Sequence, residues 1–128
     1  MIGILVLTHE DLGEHLISCA SHVVGMNPPQ LAYLSVLRDD DPDVVLAHAR
    51  TLIAQLDSGD GVLILSDIFG ATPCNVASRL VQPDKVACIA GVNLPMLVRV
   101  LTYRDEPLPV VIEKGLSGGQ GGVVQIDN

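Results

Sequence analysis

The strongest constraint on this chain is a regular alternation of short apolar runs with stretches of helical periodicity. Ile2–Leu7 is a continuous apolar run, as expected of a strand buried on both faces. Leu31–Leu37, Gly61–Ser66 and Val86–Ala90 read as three more strands of the same kind. Between them lie helical patterns. Asp11–Val24 places Leu12, Leu16, Cys19 and Val23 on one stripe, with Gly25 as its stop. Asp41-Pro42 reads as an N-cap followed by proline in the first turn, and Val45, Leu46, Ala49, Leu52, Ile53 and Leu56 carry that helix toward Gly59. Thr72-Pro73 repeats the signal and opens a helix to about Val81. Leu94–Tyr103 is the fourth helix, with Pro95 in its first turn. The spacing predicts an α/β fold: an open, doubly wound, mainly parallel sheet with helices on both faces, for which the common strand order 2-1-3-4 is expected.

The pattern weakens after Tyr103. Pro107–Glu113 reads as a short helix or an extended piece. Gly115–Gly122 holds five glycines and is expected to be a flexible loop. Val123–Ile126 is a candidate antiparallel edge strand. No linker or repeat divides the chain, so residues 1–128 are expected to form one domain.

Composition narrows the function classes. Hydrophobic residues make up 48% and charged residues 17%, which excludes intrinsic disorder. Aromatic residues are 2% (Tyr33, Phe69, Tyr103), so the core must be aliphatic and base stacking on single-stranded nucleic acid is disfavoured. The formal net charge of -8 removes the basic footprint of a nucleic-acid or anionic-membrane binder and favours a basic protein partner. The first apolar run ends at Thr8 and His9, too short for a signal peptide or a membrane span. Cys19, Cys74 and Cys88 are odd in number and lack CxxC spacing. They read as free, buried thiols in a reducing, cytoplasmic setting.

In open α/β sheets, ligands bind beyond the carboxyl ends of the strands where strand order reverses, which in the common order 2-1-3-4 lies between strands 1 and 3. His9 follows strand 1 and Asp67 follows strand 3. An imidazole at that place can act as nucleophile, base or metal ligand. A neighbouring carboxylate would fix its tautomer and stabilise the cation formed on substitution. Phe69-Gly70-Ala71-Thr72 then leads into a helix N-terminus, whose free N–H groups suit an anion. Gly70, Ala71 and Thr72 are therefore candidate phosphate-binding residues, with Thr72 also a candidate cap. His15 and His22 lie two helix turns apart, too far to share a metal, and read with His48 as surface or structural residues. Asp39-Asp40-Asp41 reads as a solvated loop. Nucleotide-binding GxxxxGK[ST] and GxGxxG signatures and the GxSxG elbow are absent, and the lysine loop of a response-regulator receiver is missing.

Three segments together resemble a known family. They are Gly3–His9, Leu65–Ala77 (LSDIFGATPCNVA) and Ala90–Leu97 (AGVNLPML). In order and register, with the matching βα alternation over about residues 1–105, they are similar to the enzyme IIA domain of the mannose-type family of the bacterial phosphoenolpyruvate-dependent sugar phosphotransferase system. The resemblance implies a phosphoryl carrier. The phosphocarrier protein HPr would phosphorylate His9 on Nε2, Asp67 would hold Nδ1, and Thr72 with the loop amides would bind phosphate oxygens. A separate IIB component would accept the group, for sugar uptake or regulation. No cofactor and no metal is implied, nor insertion into the membrane. Homodimers by exchange of a C-terminal strand are implied, with Val123–Ile126 in that place. The sequence departs from the family pattern at Glu10 and Ala71, where glycine is usual. Other readings stay open at this stage: a phosphoryl carrier for a dihydroxyacetone kinase, a small chelatase-like metal-binding protein, or a purely regulatory phosphohistidine module.

Overall fold

A computed structural model describes residues 1–127; Asn128, the end of the expected 1–128 unit, lies outside the described residues. Four parallel strands, β1 (Gly3–His9), β2 (Leu31–Val36), β3 (Val62–Ser66) and β4 (Val86–Ala90), form one sheet in the order β2-β1-β3-β4. In chain order the helices are α1 (Leu12–Val24), α2 (Pro42–Leu56), α3 (Thr72–Ser78), α4 (Leu94–Tyr103) and α5 (Leu108–Gly121). The expected α/β class, strand order and parallel pairing are all present.

Strand alternation divides the core between the two faces. Leu5, Leu7, Val62 and Ile64 pack with Val45, Leu46 and Ala49 of α2 and Val76 and Ala77 of α3. Ile4, Val6, Leu63 and Leu65 point the other way, onto Ala20 of α1, Leu97 and Val100 of α4 and Val111 of α5. Both faces of the central strands are covered, so a continuous apolar run is the only pattern that fits them.

Several local signals act as read. Asp41 caps α2 by accepting a hydrogen bond from the Asp43 N–H at 2.9 Å, with Pro42 at the first helical position. Gly25 ends α1 in the left-handed region at φ 77°, and its N–H donates to the Ser21 carbonyl.

Other expectations are corrected. The inward face of α1 is Gly13, Leu16, Ile17 and Ala20, whereas Leu12, Cys19 and Val23 are exposed. The helix lies so close to β1 that a Cβ on Gly13 would sit 3.2 Å from Val6 and Thr8, so small residues make the contact. Helix α3 stops at Ser78 rather than Val81. Its N-cap is Ala71, so Thr72 is the first helical residue and does not cap. Of the cysteines, all free, Cys74 is buried, Cys88 partly buried and Cys19 exposed. Burial, with Cys74 nearby, pushes the Cys88 thiol up to about 12.

The largest correction is at the end of the chain. The glycine-rich segment is the second half of helix α5, not a loop. A Cβ at Gly118 would lie 2.7 Å from the Arg99 Cβ, one at Gly119 2.7 Å from Met96, and one at Gly115 2.9 Å from Ile89. The glycines let α5 pack flush against α4 and β4, and that packing overrides their poor helix propensity. Residues 123–127 form no strand within the chain.

Candidate functional site

Register brings the two candidate groups together. Leu7 of β1 pairs with Ser66 of β3, so Asp67 emerges beside Thr8 and His9 at the carboxyl edge of the sheet. Asp67 Oδ2 lies 2.8 Å from His9 Nδ1 and also accepts the His9 backbone N–H at 3.0 Å. Its other oxygen accepts the Ile68 N–H at 3.0 Å. The Asp67 side chain is 7% exposed and that of His9 44%. Thus a buried anchor carries an accessible ring.

This geometry fixes the chemistry of the ring. An ionised carboxylate only accepts, so Nδ1 must carry the proton and Nε2 keeps its lone pair. Burial pushes the Asp67 carboxyl upward, but the His9 N–H, the His9 ring and the Ile68 N–H pull harder. The net effect holds it below its ordinary value. The arrangement is a nucleophilic nitrogen with a fixed tautomer and a counter-charge behind it.

Thr8 positions this edge, a part the sequence reading did not assign to it. It is fully buried, and its Oγ1 accepts the Gly13 N–H at 2.8 Å, tying the end of β1 to α1. Ser66, directly before Asp67, has a buried hydroxyl with no hydrogen-bond partner among the described residues, and nothing around it explains the choice of serine.

His9 opens onto a cleft of about 450 Å³. Glu10 and Thr72 line it, with Leu37, Arg38 and Asp40 from the loop after β2. Of the candidate phosphate residues, Thr72 alone lines this cleft; it stands exposed in the first turn of α3, where backbone N–H groups lack intrahelical partners. Gly70 is exposed at φ 85°, and its carbonyl accepts from Asn75 Nδ2 at 3.2 Å. Ala71 has extended backbone (φ -86°, ψ 173°), a conformation open to any residue, so alanine in place of the family's usual glycine brings no backbone strain. Glu10 differs. It sits at φ 50°, in the left-handed region, a conformation that favours the glycine the family resemblance implies there.

The Ala90–Leu97 segment serves the scaffold rather than the cleft. Asn93 accepts the Met96 N–H at 2.9 Å, capping α4, and donates to the Gly119 carbonyl at 3.0 Å, clamping α5. His15 pairs with Asp11 at 3.4 Å on the exposed side of α1, within a surface group of Asp11, Glu14 and His15 that does not include His9. His22 and His48 are exposed. No helix among the described residues is long and apolar enough to cross a membrane.

The family described as "PTS system fructose IIA component" matches residues 3–109. The mannose-specific EIIAB component of Escherichia coli K12 is 32% identical over 124 residues, covering 91% of this chain; the chain spans 38% of that relative's length. The fructose-specific EIIA component of Bacillus subtilis 168 is 49% identical over 107 residues, covering 83% of this chain and 73% of the relative. In fold, a mannose/sorbose-specific IIA subunit from Enterococcus faecalis superposes with a TM-score of 0.88 at 22% identity, over 99% of this chain and 96% of its own. The matching segments include both strand ends that build the His9–Asp67 pair, and the chain belongs to the mannose-type (EIIA-man) family of phosphotransferase-system IIA components.

Proposed function

We propose that the chain is a phosphoryl carrier that accepts a phosphoryl group on His9 Nε2 and passes it on. The observation that carries this reading is the bond from His9 Nδ1 to the buried Asp67 carboxylate, which leaves Nε2 free at the cleft mouth. In the forward step the Nε2 lone pair forms a bond to phosphorus as the donor's bond to phosphorus breaks. Nδ1 keeps its proton, and the positive charge that spreads over the substituted ring faces Asp67. Thr72 and the N–H groups around Gly70 and Ala71 take phosphate oxygens. The reverse chemistry delivers the group to the acceptor, with no proton lost from the ring.

In this reading, which family membership supports, the donor is HPr and the acceptor an IIB component of a sugar phosphotransferase system. Ile68 and Phe69, 59% and 87% exposed directly after Asp67, offer an apolar pair on which such a protein can seat. The chain also forms a homodimer in this reading. Val123, Val124 and Ile126 are exposed apolar residues, and beyond the Gln82–Val86 bridge the outer edge of β4 has no strand beside it among the described residues.

Incubation with phosphoenolpyruvate, enzyme I and HPr tests the central claim. The expected product carries one acid-labile, base-stable phosphate, and His9→Gln abolishes it. Undiminished labelling of His9→Gln would reject His9 as the acceptor, and no labelling of the wild type would reject the carrier role.

A further inference from the structure

The cleft at His9 has an electrostatic difficulty that its other residues do not resolve. Glu10 and Asp40 stand on its walls and Asp67 lies beneath the ring. A phosphoryl group on Nε2 would add about -1.5 to -2 charges to a site already acidic. Thr72 and backbone N–H groups supply dipoles but no cation.

Among the described residues, Arg38 is the only lysine or arginine lining that cleft. The chain has seven Lys and Arg residues, and none of the other six lines the cleft. Arg104 is buried beneath the opposite end of the sheet, Arg79 pairs with Asp43, and Lys114 lies over the Tyr103 ring. Arg38 itself has no carboxylate within salt-bridge distance among the described residues, although three aspartates follow it directly.

Its mounting is rigid. Val36, at the end of β2, accepts the Glu10 N–H at 3.0 Å, so the root of the loop is tied to the residue after His9. Leu37–Asp40 then makes a tight turn closed twice: the Asp40 N–H donates to the Leu37 carbonyl at 3.1 Å, and Asp40 Oδ2 accepts the Leu37 N–H at 2.8 Å. Asp40 thereby spends one oxygen on the turn instead of on Arg38. The turn holds Arg38 at its second position, where it lines the same cleft as His9 and Thr72.

We propose that Arg38 is a phosphate-binding residue of the site, pairing its guanidinium with the oxygens of the phosphoryl group on His9. The planar fork suits two such oxygens at once. No bond is made or broken at Arg38; it neutralises the incoming charge and orients the group for in-line attack. The inference rests on His9 being the phosphoryl acceptor.

Two probes that need no partner protein test it. Orthophosphate is titrated into the full chain while NMR follows the His9 ring resonances, and phosphoramidate serves as a small phosphoryl donor. Arg38→Gln is expected to weaken orthophosphate binding and slow phosphorylation by phosphoramidate, each about tenfold, with Arg38→Lys in between. Because Arg38 is exposed on a turn closed by backbone and Asp40, unchanged thermal unfolding is expected for both variants. Equal binding and equal rates in Arg38→Gln would overturn the proposal, as would a wild type whose His9 resonances ignore orthophosphate. Slowing seen only with HPr as donor would also overturn it, placing Arg38 on the docking surface. Failure of the carrier reading has a separate signature, absence of label on wild-type His9 from any donor.

Discussion

Asp67 is nearly buried, yet its carboxyl is held below its ordinary value of 3.8. The cause is that its oxygens accept the His9 N–H, the His9 ring and the Ile68 N–H. A depressed folded-state pKa means that the ionised form stabilises the fold. That contribution is complete above the unfolded value and is lost as pH falls through the folded one. Asp67→Asn removes it. Urea unfolding of the two proteins should therefore differ most near neutral pH, and the difference should shrink below about pH 3.8. A gap that widens on acidification would refute this assignment. The same substitution loses the fixed tautomer, and phosphorylation by HPr should fall about 10²-fold. His9 and Asp67 were legible as a pair because each directly follows a strand and the strand order makes those strands neighbours. Thr8 and Arg38 were not. Thr8 reads in the sequence as the polar end of an apolar run, and Arg38 as part of a charged loop. Their roles depend on which backbone groups and which cleft the fold sets beside them.

Helix α5 shows how an element can contradict its own composition. Glycine lowers helix propensity by about 1 kcal/mol per residue relative to alanine, so the second half of α5 looks like a loop from its sequence. Its glycines differ in what they face. A Cβ at Gly118 would meet the Arg99 Cβ and Cγ at 2.7 and 2.9 Å, whereas one at Gly121 meets nothing within 4 Å. Gly118→Ala should therefore destabilise by about 1–2 kcal/mol, because the clash with α4 outweighs the gain in propensity. Gly121→Ala should stabilise by about 0.5 kcal/mol. Chemical denaturation of both variants checks the argument, and the same sign for both would sink it. Helix α1 carries the related lesson. Its apolar residues allow more than one stripe, and the close approach of Gly13 to Val6 and Thr8 selects Gly13, Leu16, Ile17 and Ala20 as the inward set.

Across the whole molecule, the amino edge of the sheet is fastened by Arg104. It is 4% exposed and donates to the carbonyls of Ile2, Pro29 and Gln30, joining the start of β1, the entry to β2 and the end of α4. Burial holds its pKa below the usual value, with Asp105 pulling the other way. The carboxyl edge carries the His9–Asp67 pair, and in the proposed homodimer the outer edge of β4 takes a second copy of the chain. Sedimentation equilibrium should show a dimer that Val124→Asp weakens, since the substitution places a charge on the pairing segment. A monomer at every concentration, or a dimer indifferent to Val124→Asp, would reject pairing through that segment. The strands, the helices between them and the places of His9 and Asp67 at strand ends could be read from residues alone, because strands buried on both faces must be continuously apolar and proline-marked helix starts are local signals, and the common strand order then sets the two residues side by side. The course of α5, the inward face of α1, the left-handed backbone of Glu10 and the cleft beneath Arg38 became definite only in the folded chain. Each of these depends on close approach between segments distant in sequence, and no local pattern encodes the space left between two packed elements.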